Sequence, residues 1–278
     1  MDIIKKLQET GTLFIDGGFG TEIYKLGVKG DPALANLQHP EKVIEVHQAY
    51  AKAGADIITA NTFGAYSHKY DNFDEMIKAA IECAIKGSGG KAVALDIGPT
   101  GLQLEPYGDS EAEEVAKIFA NSILAAKGTG VSLIIIETMM DLNEMELALC
   151  QAKTLELPIF ATMTFNTNGR TMYGASILDM VELLEKHNVD AVGINCSEGP
   201  EGFLQFVPKL QEATKLPIVI QPNAGLPKMV DGKPTYDLPP AEYAAFMSQM
   251  HKQGATILGG CCGTTPAHIA QMVKACSL

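Results

Sequence analysis

The sequence predicts an α/β protein folded as a single (β/α)8 barrel of the TIM type. The chain has 278 residues, close to the roughly 250 residues of a typical barrel of this kind. Short apolar runs alternate with amphipathic helical stretches eight times along the chain. The runs are rich in Ile, Val, Leu and Ala and show little polar alternation, which is typical of parallel strands buried on both faces. A doubly wound open sheet is the alternative for the same alternation.

Eight apolar runs of strand length are predicted as the barrel strands. They are Leu13–Asp16, Ala55–Asn61, Lys91–Ile97, Ser132–Thr138, Ile159–Phe165, Ala191–Asn195, Pro217–Gln221 and Ala255–Leu258. One long connection, Asn223–Pro239, contains three prolines and is predicted to be the loop after the seventh strand. No linker or low-complexity tract divides the chain, so residues 1–278 are predicted to form one domain.

The stretches between these runs have helical periodicity and helix boundary signals. The predicted helices are Glu41–Ala53, Tyr70–Lys86, Glu111–Lys127, Asn143–Leu155, Ile177–His187, Gly202–Thr214, Pro240–Gln253 and Pro266–Ala275. Pro40 precedes the first as a first-turn proline, and Ser110 is a plausible N-cap of the third. Gly54 and Gly254 stand where a helix ends before a strand, and glycine favours the left-handed cap needed there.

Composition excludes several classes of partner. The formal net charge is −12, whereas binding to nucleic acid or to an anionic membrane needs a basic face. No signal peptide precedes the first strand. The longest apolar run, Val131–Ile136, is far shorter than the roughly 20 residues that span a bilayer. The sequence therefore predicts a cytoplasmic protein, in which the six cysteines form no disulfide framework.

Polar residues follow the apolar runs at the predicted carboxyl ends of the strands. The segments are Asp16-Gly17-Gly18, Asn61-Thr62, Asp96, Glu137-Thr138, Asn195-Cys196-Ser197, Gln221-Pro222-Asn223 and Gly259-Gly260-Cys261-Cys262. These ends form the mouth of an α/β barrel, where its active sites are built. Turns need neither carboxylates nor thiols, so the pattern predicts a functional site at the mouth.

Three cysteines are predicted to converge there. Cys196 ends the sixth strand, and the pair Cys261-Cys262 follows the eighth. Three thiolates suit Zn²⁺, and three protein ligands leave the fourth position open, as in catalytic zinc sites. Three alternatives remain: inert buried thiols, a vicinal disulfide, and a glycine-rich phosphate cradle, although no basic residue lies nearby in sequence. The other three cysteines fall on helices and are predicted to be structural, and the six histidines show no metal-ligand spacing.

At these residues the sequence resembles the homocysteine S-methyltransferase family, which includes the homocysteine-binding domain of cobalamin-dependent methionine synthase, betaine–homocysteine methyltransferase and S-methylmethionine-dependent enzymes. The motifs run from the first strand to the last helix. They are Asp16 to Glu22 (DGGFGTE), Ala60 to Ala65 (ANTFGA), Asp96 to Gly101 (DIGPTG), Glu137 to Met139 (ETM), Gly193 to Ser197 (GINCS), Gln221 to Pro227 (QPNAGLP) and Gly259 to Thr265 (GGCCGTT).

The resemblance implies a role for each matching residue. Cys196, Cys261 and Cys262 would bind zinc and take part in catalysis. Asp16 and Glu137 would hold the homocysteine amino group. The backbone of the segment with Gly17, Gly18, Phe19 and Thr21 would receive the homocysteine carboxylate. Asn223 would offer an oxygen to zinc before the substrate arrives.

The implied reaction is zinc-dependent transfer of a methyl group to the thiol of L-homocysteine, which gives methionine. The expected donor is a methylated corrinoid protein, with methylcobalamin on a partner or module. The wording of the Asp16 segment is nearer to the betaine or S-methylmethionine members, which leaves those donors as the alternative. Two other classes stay open: a phosphate-handling barrel lyase or isomerase, and a non-catalytic zinc or thiol protein.

Overall fold

Eight parallel strands form a barrel in the structure, a computed structural model that describes residues 2–230 and 233–277. The barrel strands are β1 (Leu13–Phe14), β2 (Ile57–Thr59), β3 (Ala92–Ile97), β4 (Leu133–Met139), β5 (Ile159–Met163), β6 (Ala191–Cys196), β7 (Ile218–Pro222) and β10 (Ile257–Leu258). Neighbours pair in the order β1-β10-β7-β6-β5-β4-β3-β2. A parallel bridge between Ile15 and Ile57 joins the two ends. The barrel predicted from the sequence is confirmed, and the open sheet is not.

Helices connect the strands, and the predicted helices are present with modest shifts of their ends, except that the predicted helix Gly202–Thr214 is divided into two short helices, Pro200–Phe203 and Phe206–Ala213. The α-helices are α1 (Ile3–Thr10), α2 (Phe19–Lys25), α3 (Ala35–Gln38), α4 (Pro40–Ala53), α5 (Phe73–Gly87), α6 (Ala112–Ala126), α7 (Leu142–Ala152), α8 (Ile177–Lys186), α9 (Pro200–Phe203), α10 (Phe206–Ala213), α11 (Pro240–Lys252) and α12 (Pro266–Cys276). Short 3₁₀ turns cover Pro32–Leu34 and Lys153–Leu155. Within the residues described, no helix has the length and apolarity needed to cross a membrane.

The amino-terminal helix α1, which the sequence did not predict, closes the bottom of the barrel. Asp2 caps it by accepting a hydrogen bond from the Lys5 amide, and Gly11 ends it with φ of 74°. Its buried residues Ile3 and Leu7 pack on the inward-facing side chains of the barrel. Those side chains are Leu13, Ile15, Ile57, Ala92, Ala94, Leu133, Ile135, Phe160, Ala191, Val219 and Ile257. The opposite, carboxyl-terminal mouth is the end at which the polar motifs gather.

The connection after β7 differs from the predicted loop because part of it forms a hairpin. Strands β8 (Lys228–Val230) and β9 (Lys233–Thr235) pair antiparallel, with Lys228 opposite Thr235. Residues 231 and 232 of the predicted loop lie outside the described residues, as do residues 1 and 278. Lys228 and Met229 are both exposed, so β8 does not alternate between buried and exposed side chains. That alternation is the sequence pattern that predicts a half-buried strand, and the hairpin was therefore not predicted.

Candidate active site

A cavity of about 530 Å³ opens at the mouth of the barrel, within the size range of small-molecule sites. Its walls include every residue predicted to bind substrate and all three predicted thiols. These residues are Asp16, Gly17, Gly18, Phe19, Thr21, Glu137, Cys196, Cys261 and Cys262. Asn223, the fourth predicted metal ligand, is not among the described residues that line the cavity. It is buried directly after β7.

The three sulfurs converge because β7 lies between the two strands that carry them. Their Sγ atoms all lie within 4.8 Å of one another. Cys196 pairs in register with Pro222 on one side of β7. On the other side, the Cys261 amide donates to the Pro222 carbonyl at 3.0 Å. All six cysteines are free, so the vicinal disulfide considered from the sequence is absent.

Hydrogen bonds among the thiols concentrate negative charge on one sulfur. Bonds from Cys196 and then Cys261 lower the pKa of Cys262. The same contacts, with Cys196 and then Cys262, raise the pKa of Cys261 well above its ordinary value. The hydrogen bonds of the cluster therefore favour a thiolate on Cys262 over one on Cys261. Three thiolates at this spacing need a cation between them.

This donor set fits a zinc ion. Tetrahedral Zn–S bonds of about 2.3 Å place two sulfurs about 3.8 Å apart, so the observed spacing needs only a small contraction. Asn223 Oδ1 is buried and has no hydrogen-bond partner among the described residues. The neighbouring Ala224 amide donates to the Cys262 carbonyl at 2.9 Å. An unpartnered amide oxygen thus lies on a segment bonded to the cysteine pair.

Unusual backbone geometry surrounds Cys196. The φ angles of Thr138, Cys196 and Ser197 are 62°, 60° and 48°, values that residues with a Cβ rarely adopt. The buried Asn195 side chain stabilises this region. Its Oδ1 accepts from the Thr138 amide at 2.8 Å, and its Nδ2 donates to Thr138 Oγ1 at 2.7 Å. Asn195 therefore links the end of β6, which carries Cys196, to the end of β4.

Three carboxylates at strand ends face the same cavity: Asp16 is buried, and Asp96 and Glu137 are half-buried. Asp16 accepts from Thr59 Oγ1 at 2.7 Å and from the Thr59 amide at 3.0 Å, yet burial raises its pKa to about 7. Burial, followed by the charges of Cys262 and Asp16, raises the pKa of Glu137 to about 8. Glu137 lies where the β4–β5 register shifts, and such bulges redirect side chains next to active sites. None of these carboxylates forms a salt bridge with a basic side chain of the described residues, so no cation favours the ionised forms.

Asp96 is the third of these carboxylates; the sequence placed it at a strand end and in the motif Asp96 to Gly101 but predicted no role for it. Burial raises its pKa well above the ordinary value, and the charges of Glu137 and Asp16 add to the effect. Its Oδ1 is buried without a hydrogen-bond partner among the described residues. The position of Asp96 near the end of β3 was the sequence feature that could have identified it as a residue of the site.

Two glycines of the first motif are required by close packing. A Cβ on Gly17 would lie 2.5 Å from Thr264 Oγ1, and one on Gly18 would lie 2.6 Å from the Cys261 carbonyl. The Gly18 amide donates to Thr264 Oγ1 at 3.0 Å. The first loop therefore packs directly on the backbone of the cysteine turn. Fold and site together define an α/β-barrel enzyme whose mouth combines a thiol cluster with carboxylates.

Comparison with known proteins identifies the family. A family model described as Homocysteine S-methyltransferase matches residues 13–276. The chain belongs to the homocysteine S-methyltransferase family, which confirms the resemblance seen in the motifs and the prediction of a methyltransferase enzyme.

Individual relatives agree with this assignment. The methionine synthases of Mycobacterium tuberculosis (strain ATCC 25618 / H37Rv) and Mycobacterium leprae (strain TN) are 27% and 26% identical to the chain over 94% of its length. The chain spans 24% of the length of each. The crystal structure of the homocysteine methyltransferase MmuM from Escherichia coli, metallated form, matches with a TM-score of 0.83 at 24% identity. That match covers 98% of this chain and 99% of MmuM and supports the fold.

Proposed function

We propose that this chain binds L-homocysteine together with one zinc ion and transfers a methyl group to the homocysteine thiol, giving methionine. The observation that carries the proposal is the cluster of Cys196, Cys261 and Cys262, whose sulfurs lie within 4.8 Å of one another in a cavity that also contains carboxylates. The three cysteines would hold the zinc. The unpartnered Oδ1 of Asn223 supports a fourth, displaceable ligand from the chain.

Zinc at this position would supply one effect, a lower pKa for an incoming thiol, so that homocysteine reacts as a thiolate at neutral pH. The protein supplies the orientation. The substrate ammonium group would give Asp16 and Glu137 the cationic partner that they lack. The Gly18 amide is already bonded to Thr264, so the homocysteine carboxylate would be received by the amides that follow, from Phe19 to Thr21. These contacts place the sulfur and require no general base.

A methylated corrinoid protein is the proposed donor, and exposed apolar side chains in the strand-to-helix loops support it. Among the described residues, seven of the ten exposed large apolar side chains lie in the connections from a barrel strand to the next barrel helix, some of them on the short elements α2, α3 and β8, at the mouth of the barrel. They are Tyr24, Leu37, Phe63, Tyr107, Met172, Leu226 and Met229. Apolar surface at one end of a protein is a feature of sites that contact another protein, and this supports a protein-bound donor. A sulfonium or ammonium donor of the S-methylmethionine or betaine type is the second candidate, supported by the carboxylate of Asp96.

The two rival classes receive less support from the cavity. A phosphate-handling lyase or isomerase needs cationic groups around its anion. The described residues that line the cavity include Asp16, Asp96 and Glu137 but only one basic side chain, Lys69. A protein that only stores zinc would need the three thiols but would not need Asp16 and Glu137 in the same cavity. We also propose that the chain is a single domain and that the protein is cytoplasmic, a location in which free cysteines such as these six are the usual state.

The metal role is tested by exchanging one cysteine of the cluster. Cys261→Ala should lose tightly bound zinc and alkylation of homocysteine, because two thiolates cannot replace a three-thiolate site. Cys150→Ala is the matched control, since Cys150 is an exposed thiol on α7. Zinc is measured by mass spectrometry of the metal and methionine by chromatography. Full activity in the zinc-free Cys261→Ala variant would end this proposal.

The donor is tested by a panel in which each reaction contains homocysteine and zinc-loaded protein. The donors are methylcobalamin, a methylated corrinoid protein, S-methylmethionine and betaine. We expect the fastest methionine formation with the corrinoid protein, because the apolar loops would contact it. A faster reaction with either small cation would replace the corrinoid donor by that class. No methionine with any of the four would contradict methyl transfer itself.

A further inference from the structure

Thr264 lies two residues after the cysteine pair, and its side chain joins two segments that are far apart in the sequence. Its hydroxyl accepts a hydrogen bond from the Gly18 amide at 3.0 Å and donates one to the Cys261 carbonyl at 2.7 Å. Gly18 and Thr264 are 246 residues apart in the sequence. A hydroxyl on a fully buried residue therefore bridges the loop after β1 and the turn that carries the cysteine pair.

Glycines on both segments leave room for this side chain. An added Cβ would lie 2.5 Å from Thr264 Oγ1 on Gly17 and 2.4 Å from the same atom on Gly260. The ring of Tyr236, which lines the cavity, packs over Gly263 of the same turn, where an added Cβ would lie 2.2 Å from Tyr236 Cγ. Loop, threonine and turn are thus in direct contact, and this contact fixes their separation.

A second buried hydroxyl, on α4, holds the same two segments. Tyr50 is fully buried, and its Oη donates to the Thr264 carbonyl at 2.9 Å and lies 3.2 Å from the Gly18 carbonyl. The Gly260 amide adds a backbone link by donating to the Asp16 carbonyl at 3.0 Å. The hydroxyls of Thr264 and Tyr50, with their hydrogen bonds, are called the clasp below.

The separation that the clasp fixes would matter because homocysteine is bound at two ends in the proposed reaction. Its sulfur would bind a metal held in part by Cys261. Its carboxylate would bind the amides from Phe19 to Thr21, which follow Gly18 directly. A substrate of fixed length reaches both positions only if their separation matches it, and a misplacement of about 1 Å can cost roughly a hundredfold in rate.

We propose that Thr264 is a positioning residue for homocysteine, whose hydroxyl keeps the carboxylate-binding loop at the distance from Cys261 at which the substrate carboxylate and sulfur bind together. This role rests on the proposed function. Asp16, which would bind the ammonium group, is oriented separately, because its carboxylate accepts two hydrogen bonds from Thr59. Loss of the clasp should therefore weaken the contribution of the substrate carboxylate and spare that of its ammonium group.

The test replaces the hydroxyl by a methyl group in Thr264→Val. A methyl carbon needs about 3.5 Å to a neighbouring atom, whereas the hydroxyl has its two partners at 3.0 and 2.7 Å. The loop and the turn must therefore move apart by roughly 0.5 Å or more, and the Gly18 amide loses its acceptor.

Isothermal titration calorimetry of the zinc-loaded protein measures the affinities for homocysteine and for homocysteamine, in which hydrogen replaces the carboxylate. No methyl donor is needed. We expect the ratio of the two affinities to fall about tenfold in Thr264→Val, which corresponds to about 1.4 kcal/mol and lies in the range for one buried group left without its partner.

Two variants serve as controls. Thr264→Ser keeps the hydroxyl and should keep the wild-type ratio. Thr214→Val removes another buried threonine hydroxyl, which donates to Glu185 at 2.6 Å and accepts from the Leu216 amide at 3.1 Å. Thr214 precedes β7 at the opposite end of the barrel, so this variant should lower the stability of the protein and leave the affinity ratio unchanged.

The clasp is also tested without metal or substrate. In the metal-free protein, the Gly18 amide proton should exchange with solvent about tenfold faster in Thr264→Val than in the wild type, as measured by nuclear magnetic resonance. Equal exchange rates, or equal affinity ratios in the wild type and Thr264→Val, would overturn the role of Thr264.

Two further outcomes are informative. If Thr264→Val does not fold, Tyr50→Phe removes the other hydroxyl of the clasp and should also lower the affinity ratio; an unchanged ratio would overturn the proposal. A wild type that binds zinc but not homocysteine would overturn the proposed function, and this role with it. A wild type that binds both, with a ratio that Thr264→Val leaves intact, would overturn the role of Thr264 alone.

Discussion

A buried histidine makes the stability of this protein depend on pH in a way that one substitution should remove. His47 on α4 is fully buried, and neither ring nitrogen has a hydrogen-bond partner among the described residues. Its ring lies 5.3 Å from that of Phe19. Burial lowers the pKa of His47 from 6.5 to about 3. We expect His47→Leu to abolish the acid sensitivity that this ring causes.

The sign and the magnitude follow from the two pKa values. Between pH 6.5 and about 3 the unfolded chain binds a proton at this residue and the folded chain does not. The stability associated with the neutral ring is therefore complete above the unfolded pKa and is lost as pH falls below it. At pH 5, which is about 1.5 units below the unfolded pKa, the loss is about 2 kcal/mol at roughly 1.4 kcal/mol per unit. The leucine side chain in His47→Leu binds no proton in either state, so this contribution to the pH dependence disappears.

The assay is urea unfolding of the metal-free, reduced protein at pH 7 and pH 5. The free energy of unfolding of the wild type should fall by about 2 kcal/mol more between these pH values than that of His47→Leu. His39→Asn serves as the control, because the His39 side chain is 41% exposed and asparagine can still cap α4. This control should keep the wild-type dependence on pH. An equal fall in the free energy of unfolding of His47→Leu and of the wild type between pH 7 and pH 5 would contradict this role of His47.

Three further substitutions test the site. Gly18→Ala should lower zinc affinity at least tenfold in a competitive chelator titration, because its Cβ would lie 2.6 Å from the carbonyl of the first cysteine of the pair; Gly20→Ala, whose nearest neighbour would be 3.8 Å away, should not. Asp16→Asn should raise the KM for homocysteine about tenfold or more while zinc content stays the same, since it removes a charged partner of the ammonium group; an unchanged KM would contradict that role. Asn195→Ala should lower the free energy of unfolding by about 1–3 kcal/mol, because buried groups of Thr138 lose their partners; a urea midpoint equal to that of the wild type would show that the link is dispensable.

The barrel was readable from the sequence because each strand carries a local signal. Val, Ile, Leu and Ala fill positions that face either the barrel interior or the helices, so the strands are apolar throughout. Their ends were less predictable. The run predicted as Ala55–Asn61 is paired only over Ile57–Thr59, because the backbone turns once the Thr62 amide bonds to the Ala60 carbonyl at 2.7 Å.

Some functional residues could be predicted from the sequence and others could not. Cysteines and carboxylates at strand ends carry their chemistry in the residue type, so Cys196, Cys261 and Glu137 could be placed in advance. The left-handed backbone of Thr138 had no sequence signal, because it depends on hydrogen bonds from a side chain on another strand. Tyr236 also had no sequence signal, because the packing of its ring over Gly263 follows from tertiary contacts of the connection after β7.

In the proposed site, three cysteine sulfurs hold a zinc ion that accepts a fourth sulfur from homocysteine. Zinc K-edge X-ray absorption of the loaded protein, recorded with and without homocysteine, counts these ligands. We expect three sulfur ligands and one oxygen or nitrogen ligand without substrate, and four sulfur ligands with it. Fewer than three sulfurs in the substrate-free protein, or a spectrum that homocysteine leaves unchanged, would contradict it.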